Sequence, residues 1–223
     1  MKFKVKAVML DLDGTLIDTA PQIAAAANDM RASLGLDALD SKLIENYIGE
    51  GAATLIRRCL AGYWSEVNDE QAASAYASFS VHYAKIVADS QPYESVLESL
   101  QVLKQAGYGL ACVTNKPESF TLPLLQKSGL ADYFELVVSG DSLPKKKPDP
   151  MQLLYVCEQF NVLPAQMLLV GDSKTDITAA RAAGCYIFTV PYGYNGGLAI
   201  DAHEVDAQIA SLLEINALIE RVN

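Results

Sequence analysis

The sequence predicts an α/β fold, in which a Rossmann-like, doubly wound parallel sheet carries an inserted helical domain. Two observations support this prediction. From residue 108 onwards, short apolar segments alternate with helix-length segments, which is typical of parallel strands joined by helices. Before that point, one strand-like segment is followed by helical patterns alone. We therefore expect residues 1–19 and 89–223 to form an α/β core domain, and residues 20–88 to form a helical domain inserted into it.

The first half of the chain supplies one predicted strand and several helices. The strand is expected at residues 5–10, VKAVML, which is almost entirely apolar. Helical patterns follow at residues 20–36, 41–64, 68–89 and 93–108. The second pattern is interrupted at Gly49-Glu50-Gly51, and Asn68 or Asp69 is a suitable N-cap for the third.

The second half supplies the remaining strands. They are expected at residues 109–113, 135–138, 167–170 and 185–190, with helices between them at 117–128, 150–160 and 174–183. Ligands of open α/β sheets bind outside the carboxyl ends of the strands. Polar residues follow four strands in turn: Asp11, Asp13, Gly14 and Thr15; then Thr114, Asn115 and Lys116; then Lys145, Lys146 and Lys147; then Asp172 and Asp176.

These residue types together indicate a phosphate site with a metal ion. Four carboxylates near one point would repel each other unless a cation lay between them. Mg²⁺ prefers oxygen ligands and often shares them with a substrate phosphate. Lys147 would add a positive charge, and Thr114, Asn115 and the backbone around Gly14 would add neutral donors for an oxyanion. A carboxylate beside such a phosphate can act as a nucleophile.

Composition excludes several other classes of protein. The chain has 223 residues, 51% hydrophobic and 20% charged, which is typical of a globular protein. Its net charge of −10 and the absence of a basic face argue against nucleic acid or an anionic membrane as partner. No segment resembles a signal peptide or a membrane span, so a cytoplasmic location is expected.

Cysteine and histidine chemistry is not expected either. Cys59, Cys112, Cys157 and Cys185 are widely spaced among apolar neighbours, which favours buried thiols over disulfides or a zinc site. His82 and His203 lie in unrelated segments, which argues against a histidine-based metal site or catalytic triad.

Four short segments resemble the motifs of the haloacid dehalogenase superfamily. They are DLDGTLID, VTNK, KKPDP and VGDSKTD, in the order and at spacings similar to those of the superfamily. Residues 20–88 stand where that superfamily carries a helical cap. Within the superfamily, IGEGA, VTNKP, VGDS and YGYNGG are similar to the bacterial phosphoglycolate phosphatases. Leu10 is a small departure, since the family usually has Phe before the first aspartate.

The resemblance implies a role for each motif residue. Asp11 would be the nucleophile and Asp13 the general acid and base. Asp11, the backbone carbonyl of Asp13 and Asp172 would bind Mg²⁺, with Asp176 supporting them. The phosphate would be bound by Thr114, Asn115, Lys147 and Gly14. The substrate would be a small phosphorylated metabolite, above all 2-phosphoglycolate, chosen by the cap residues Gly49, Glu50 and Gly51, in a monomer or homodimer.

Several alternatives stay open at this point. Lys116 could contact phosphate or be a surface lysine, Asp18 is expected to be structural, and Arg57 or Arg58 could either face the site or be solvated. Tyr192, Tyr194 and Asn195 could pack a turn rather than touch substrate. A sugar-phosphate phosphatase or mutase shares the motifs. Asp13 argues against a dehalogenase, and the cap lysines Lys42 and Lys85 do not suit a phosphonate hydrolase. A phosphate sensor without turnover is the non-enzymatic alternative.

Overall fold

A computed structural model describes residues 2–61 and 66–222. The strands are β1 (Phe3–Val5), β2 (Ala7–Leu10), β3 (Ile17–Asp18), β4 (Gln91–Pro92), β5 (Gly109–Val113), β6 (Leu136–Val138), β7 (Met167–Gly171), β8 (Tyr186–Thr189), β9 (Ala207–Gln208) and β10 (Ile219–Arg221). The helices are α1 (Ala20–Ser33), α2 (Ser41–Glu45), α3 (Ala52–Leu60), α4 (Asp69–Ile86), α5 (Val96–Gln105), α6 (Glu118–Lys127), α7 (Met151–Phe160), α8 (Lys174–Ala183) and α9 (Ile215–Leu218).

The main sheet has six parallel strands in the order β6-β5-β2-β7-β8-β9. The chain passes from β2 to β5 and β6 on one side, and then to β7, β8 and β9 on the other. The order therefore reverses at β2, which places a crevice at its carboxyl end. The predicted doubly wound α/β fold is confirmed.

Strand β2 is buried on both faces, as its uninterrupted apolar sequence requires. Val8 and Leu10 belong to one apolar cluster, and Ala7 and Met9 belong to a second cluster on the opposite face. Leu10 is level with Cys112 of β5 and with Val170 of β7. The residues that follow these three strands therefore emerge at one edge of the sheet.

The predicted first strand, residues 5–10, is in fact two strands. Strand β1 pairs in parallel with β10 in a separate two-stranded sheet, whereas β2 belongs to the main sheet. The strands separate at Lys6, whose backbone N–H donates to the carbonyl oxygen of Gln166 at 2.8 Å. Neither β10 nor the sixth strand of the main sheet, β9, was predicted. Segments of two or three residues are too short to show an alternation of apolar and polar residues.

Helices α1 to α4 lie between β3 and β4, which pair antiparallel with Ile17 opposite Pro92 and Asp18 opposite Gln91. The chain thus leaves for these helices and returns from them along neighbouring strands. Helix α1 packs against α2, α3 and α4, and α3 packs against α4. Their division from the rest of the chain as a cap domain, at residues 20–88, is retained as a proposal.

The helical segment follows its sequence signals closely. The predicted break at residues 49–51 separates α2 from α3, and residues 62–64 of the second predicted pattern lie outside the described residues. Asn68 rather than Asp69 caps α4: its side chain accepts from the Gln71 N–H at 2.8 Å, and the Gln71 side chain accepts from the Asn68 N–H at 3.1 Å. Among residues 2–61 and 66–222, no helix combines the length and apolar character needed to cross a bilayer. All four cysteines are buried free thiols, as predicted.

Candidate active site

Lys147 occupies the centre of the crevice beside β2. Its side chain is almost completely buried, and its Nζ lies 2.9 Å from Asp11 Oδ1 and 2.7 Å from Asp176 Oδ1. It also donates to the Val113 carbonyl at 2.8 Å. The loop that carries Lys147 is held by Gln152, whose Oε1 accepts from the Lys147 N–H at 3.1 Å. Burial acts to lower the pKa of Lys147, but the charges of Asp11 and Asp176 outweigh it and raise that pKa above its usual value.

Three buried carboxylates surround this crevice. Asp11, Asp172 and Asp176 each offer an oxygen, and these oxygens all lie within 4.8 Å of one another. Burial, with repulsion from Asp176 added, raises the pKa of Asp11 to about 7 against the opposing effect of Lys147. Burial also raises the pKa of Asp172 well above its ordinary value, with repulsion from Asp176 and Asp11 added. Binding of a proton or a cation would therefore stabilise this group of three carboxylates.

The donor set fits a hard divalent cation. All three side chains offer oxygen, and among the described residues no histidine or cysteine joins the group. Asp176 has both oxygens engaged: Oδ1 accepts from Lys147, and Oδ2 accepts from Ser173 Oγ at 2.6 Å. Because Oδ1 is held by the cationic Lys147, this position agrees with the supporting role predicted for Asp176.

Asp172 is oriented by two elements that are distant in sequence. Its Oδ1 accepts from Thr15 Oγ1 at 3.1 Å, and its Oδ2 accepts from the backbone N–H of Tyr194 at 2.5 Å. Gly14 allows this close approach: it has a φ of +83°, and a Cβ there would collide with Asp172 Oδ2. The structure thus places Gly14 against the carboxylate group, and its predicted contact with phosphate stays a prediction.

Asp13 stands apart from the three clustered carboxylates. It pairs with Lys116, whose Nζ lies 2.7 Å from Asp13 Oδ1 and 3.0 Å from Oδ2, and it accepts from Thr19 Oγ1 at 2.7 Å. Lys116 is 5% exposed, so the surface-lysine alternative is wrong. Burial acts to lower the pKa of Lys116, but the charge of Asp13 more than compensates and raises it. Lys116 therefore carries its charge at neutral pH.

Thr114 and Asn115 follow β5 as predicted and lie at the same edge. Thr114 Oγ1 accepts from the Lys116 N–H at 3.1 Å. Asn115 Nδ2 donates to the carbonyl oxygens of Gly49 at 2.9 Å and Lys147 at 2.8 Å. The side chain of Asn115 thereby ties the helical segment to the sheet edge. Its Oδ1 is buried and has no hydrogen-bond partner among the described residues.

A small cavity of about 40 Å³ separates the sheet edge from the helices. The sheet side contributes polar residues, namely Asp11, Asp13, Thr114, Asn115 and Lys116. The helical side contributes an apolar wall that includes Ile48, Leu55, Phe79 and Tyr83. This wall was not predicted from the sequence, because apolar residues on a helix face do not differ in pattern from ordinary core residues.

The cap residues expected to select the substrate are divided. Gly49 and Gly51 line the cavity, whereas Glu50 pairs with Arg58 at 2.5 Å outside it. Arg57 pairs with Asp69 at 2.5 Å. Both arginines are more than one-third exposed and neither lines the cavity, which leaves them as surface ion pairs.

Tyr194 connects the helical segment to Asp172. Its Oη accepts from the backbone N–H groups of Thr19 and Ala20 at 2.8 and 3.0 Å, and donates to Asp18 Oδ1 at 2.5 Å. Asp18 therefore bonds to Tyr194 instead of capping α1. Tyr192 Oη donates to the Thr15 carbonyl at 3.1 Å, so both tyrosines fix the turn around the site.

The family model of haloacid dehalogenase-like hydrolases matches residues 8–190. The chain belongs to that family. Phosphoglycolate phosphatase from Thiobacillus denitrificans is 48% identical to this hydrolase over 219 residues, covering 97% of the chain and 96% of the relative. Phosphoglycolate phosphatase from Nitrosospira multiformis is 50% identical over 219 residues, with the same two coverages of 97% and 96%.

Solved structures give the same picture. The crystal structure of a predicted phosphoglycolate phosphatase from Haemophilus somnus superposes on this hydrolase with a TM-score of 0.90 and 34% identity, covering 96% of this chain and 97% of that one. The resemblance inferred from the four motifs is confirmed. The prediction of an enzyme of the hydrolase class is confirmed as well.

Proposed function

We propose that this hydrolase is a Mg²⁺-dependent phosphatase that converts 2-phosphoglycolate to glycolate and phosphate through an aspartyl-phosphate on Asp11. The observation that carries the proposal is the position of Asp11. It is a buried carboxylate at a sheet switch point, held at 2.9 Å by Lys147 and grouped with Asp172 and Asp176. The names of the similar phosphatases support the reaction and the substrate.

The metal would be held by Asp11, Asp172 and the backbone carbonyl of Asp13, with Asp176 supporting them. When bound, Mg²⁺ would offset the negative charge of the carboxylates and of the phosphoryl oxygens. This assignment agrees with the raised pKa values of Asp11 and Asp172, because burial and then mutual repulsion disfavour the ionised carboxylates and a bound cation would offset their charge.

Side chains of the protein would carry out phosphoryl transfer and the proton transfers. Asp11 attacks phosphorus, and Lys147 balances the charge of Asp11 and of the group in transfer. Thr114 Oγ1 and the Asn115 backbone N–H bind the phosphoryl oxygens. Asp13 donates a proton to the departing alkoxide and later removes one from the water that attacks the aspartyl-phosphate. Positioning and charge supply most of the acceleration in such a transfer.

The cavity supports a small substrate. Its volume of about 40 Å³ is small, which favours a short phosphomonoester over a bulky one while the helices stay in this position. The apolar wall offers few partners to the hydroxyl groups of a sugar, and burying an unpaired hydroxyl costs roughly 1–3 kcal/mol in proteins. A sugar phosphate would therefore bind less well than a short phosphomonoester.

Purified enzyme assayed with Mg²⁺ against a panel of phosphomonoesters tests the proposal. We expect kcat/KM for 2-phosphoglycolate to exceed that for glucose 6-phosphate by more than about 100-fold, equivalent to roughly 3 kcal/mol of selectivity. Equal turnover of a sugar phosphate would favour a sugar phosphatase, and conversion of a hexose 1-phosphate to its 6-phosphate would identify a mutase. Binding of phosphate without hydrolysis of any ester would identify a sensor.

A further inference from the structure

Lys116 is the cation of the candidate cavity. Among the described residues that line it, Asp11 and Asp13 are acidic and Lys116 alone is basic. Lys147 lies deeper, between Asp11 and Asp176. Arg57 and Arg58, which the sequence offered as partners for a substrate anion, pair with Asp69 and Glu50 instead. Lys146 Nζ lies beside Gly51 but Lys146 does not line the cavity. Among the lining residues, an anionic substituent of a substrate therefore meets a positive charge at Lys116.

The surroundings of Lys116 suit an anion that enters from the cavity. The ammonium has three N–H donors, and its Nζ lies 2.7 and 3.0 Å from the two oxygens of Asp13. It also lies over the ring of Tyr83, 4.9 Å from the ring centroid. Tyr83 Oη is buried beside this ammonium and interacts with it, and its O–H donates to no described residue. A second donor therefore stands unused beside the ammonium.

The chemistry of 2-phosphoglycolate places its carboxylate at this point. The carboxyl carbon is bonded to the carbon that carries the leaving oxygen. The group that binds the carboxylate must therefore lie close to the group that protonates that oxygen. In the proposed mechanism the latter is Asp13, and Lys116 contacts Asp13 directly. A receptor on α3 or on the solvent side of α4 would be more distant from the leaving oxygen.

We propose that Lys116, with Tyr83 Oη as a second donor, binds the substrate carboxylate and thereby selects carboxylated phosphomonoesters. This inference rests on the proposed function and adds the residues that recognise the leaving group. Lys116 would be shared between Asp13 and the substrate, so that one cation offsets both negative charges. Phe79 and Leu55 exclude water from the pair, and a charged pair is stronger where water is excluded.

Two substrates separate this role from a purely structural one. Ethyl phosphate has the same ester oxygen and CH₂ group as 2-phosphoglycolate, but a methyl group replaces the carboxylate. K116M removes the partner of Asp13 for both substrates, so both should lose kcat. We expect KM for 2-phosphoglycolate to rise about 10–100-fold more than KM for ethyl phosphate, as follows from losing one partner of a shielded charge pair.

Matched variants sharpen the result. Y83F should lower kcat/KM for 2-phosphoglycolate about 10–100-fold more than kcat/KM for ethyl phosphate, which is the value of one hydrogen bond to a charged group. K85M removes an exposed lysine from the same helix and should leave both substrates unchanged. K116Q provides a polar replacement should K116M fail to fold, and the same difference between substrates is expected.

The two failures are distinguishable. If the Lys116 variants and Y83F weaken both substrates equally, Lys116 positions Asp13 only, and the carboxylate proposal is overturned while the phosphatase stands. If the wild-type enzyme hydrolyses ethyl phosphate as efficiently as 2-phosphoglycolate, the substrate in the proposed function is itself wrong, and the carboxylate proposal falls with it.

Discussion

The ammonium of Lys147 lies 2.9 Å from Asp11 Oδ1, and both side chains are buried where three parallel strands end. Lys147 supplies one positive charge to a group of three carboxylates, Asp11, Asp172 and Asp176. One ammonium cannot balance the charge of three ionised carboxylates, so the site favours binding of a proton or a cation.

Asp11→Asn should reduce turnover of every phosphomonoester to background, because an amide cannot attack phosphorus as a carboxylate does. The fold should be retained, since Asn fills the same space. Steady-state assays with circular dichroism on the same sample provide the check. About a tenth of wild-type turnover surviving in a metal-loaded sample would contradict the aspartyl-phosphate mechanism.

The same variant should change how stability depends on pH when metal is chelated. The folded-state pKa of Asp11, about 7, lies above the unfolded value of 3.8, so the folded state binds the extra proton between these values. Wild-type stability should therefore fall relative to Asp11→Asn as pH rises from 4 to 7. The difference in unfolding free energy should reach at most about 4 kcal/mol, at about 1.36 kcal/mol per pKa unit.

Denaturant titrations in EDTA at pH 4 and pH 8 measure this difference. Asp132→Asn, at an exposed aspartate, is the control and should show the same stability difference from wild type at both pH values. A difference between wild type and Asp11→Asn that is constant with pH would show that Asp11 is not the group that titrates.

Removal of metal should abolish activity, and Mg²⁺ should restore it. Asp172→Asn should eliminate this rescue, because it removes a charge from the proposed ligand set. Asp176→Asn should instead raise the Mg²⁺ concentration needed by about 10–100-fold, the usual cost of losing a group that orients the ligands. Ca²⁺ should inhibit, because its longer bonds and larger ligand number would misplace Asp11. Full activity of chelator-treated enzyme would refute the metal assignment.

Asp13→Asn should lower kcat about 10²–10⁴-fold for alkyl phosphates, the usual contribution of a general acid or base. The rate of phosphoryl transfer to Asp11 should fall less for p-nitrophenyl phosphate, because its leaving group needs no proton. Phosphoenzyme should then accumulate, because its hydrolysis still needs Asp13 as a base. Acid quenching followed by measurement of protein-bound phosphate tests this, and equal losses of phosphoryl transfer on both substrates would argue against Asp13 as the acid.

Gly51→Ala should reduce kcat/KM for 2-phosphoglycolate more than Gly49→Ala does. Both glycines have positive φ values, +89° and +117°, so both variants carry backbone strain. A Cβ at Gly51 would also collide with Lys146 Nζ and lie 3.3 Å from the Asn115 carbonyl oxygen, whereas a Cβ at Gly49 meets nothing within 4 Å. Comparison of kcat/KM for the two variants isolates the contacts of the added Cβ at position 51. Equal losses would show that backbone strain alone matters.

Much of the site could be predicted because parallel strands end at one edge. Asp11, Thr114 and Asp172 directly follow or lie one residue beyond apolar segments that are easily recognised, so their meeting follows from topology alone. Lys147 was harder to place, since a loop separates it from β6, and its motif identified it.

The partners of these residues could not be predicted. Lys116 and Asp13 are 103 positions apart, and their pairing depends on how a strand end and a loop meet in space. Tyr83 lies in a helical pattern that ordinary core packing explains equally well, so its buried hydroxyl has no signature in the sequence. The split between β1 and β2 is equally hidden, because an apolar run does not show which sheet each residue joins.

Tyr194 links two parts of the molecule that the mechanism would otherwise treat separately. Its backbone N–H orients Asp172, and its hydroxyl holds the first turn of α1. Thermodynamic linkage follows if the helices move: a cation that binds Asp172 more tightly in one helix position must favour that position by the same factor. If the cation prefers one helix position by about 1.4 kcal/mol, its affinity is tenfold higher in that position, and its binding favours that position tenfold. A bound cation would then favour the closed position of the helices, and a substrate that closes them would tighten the binding of the ion by the same factor.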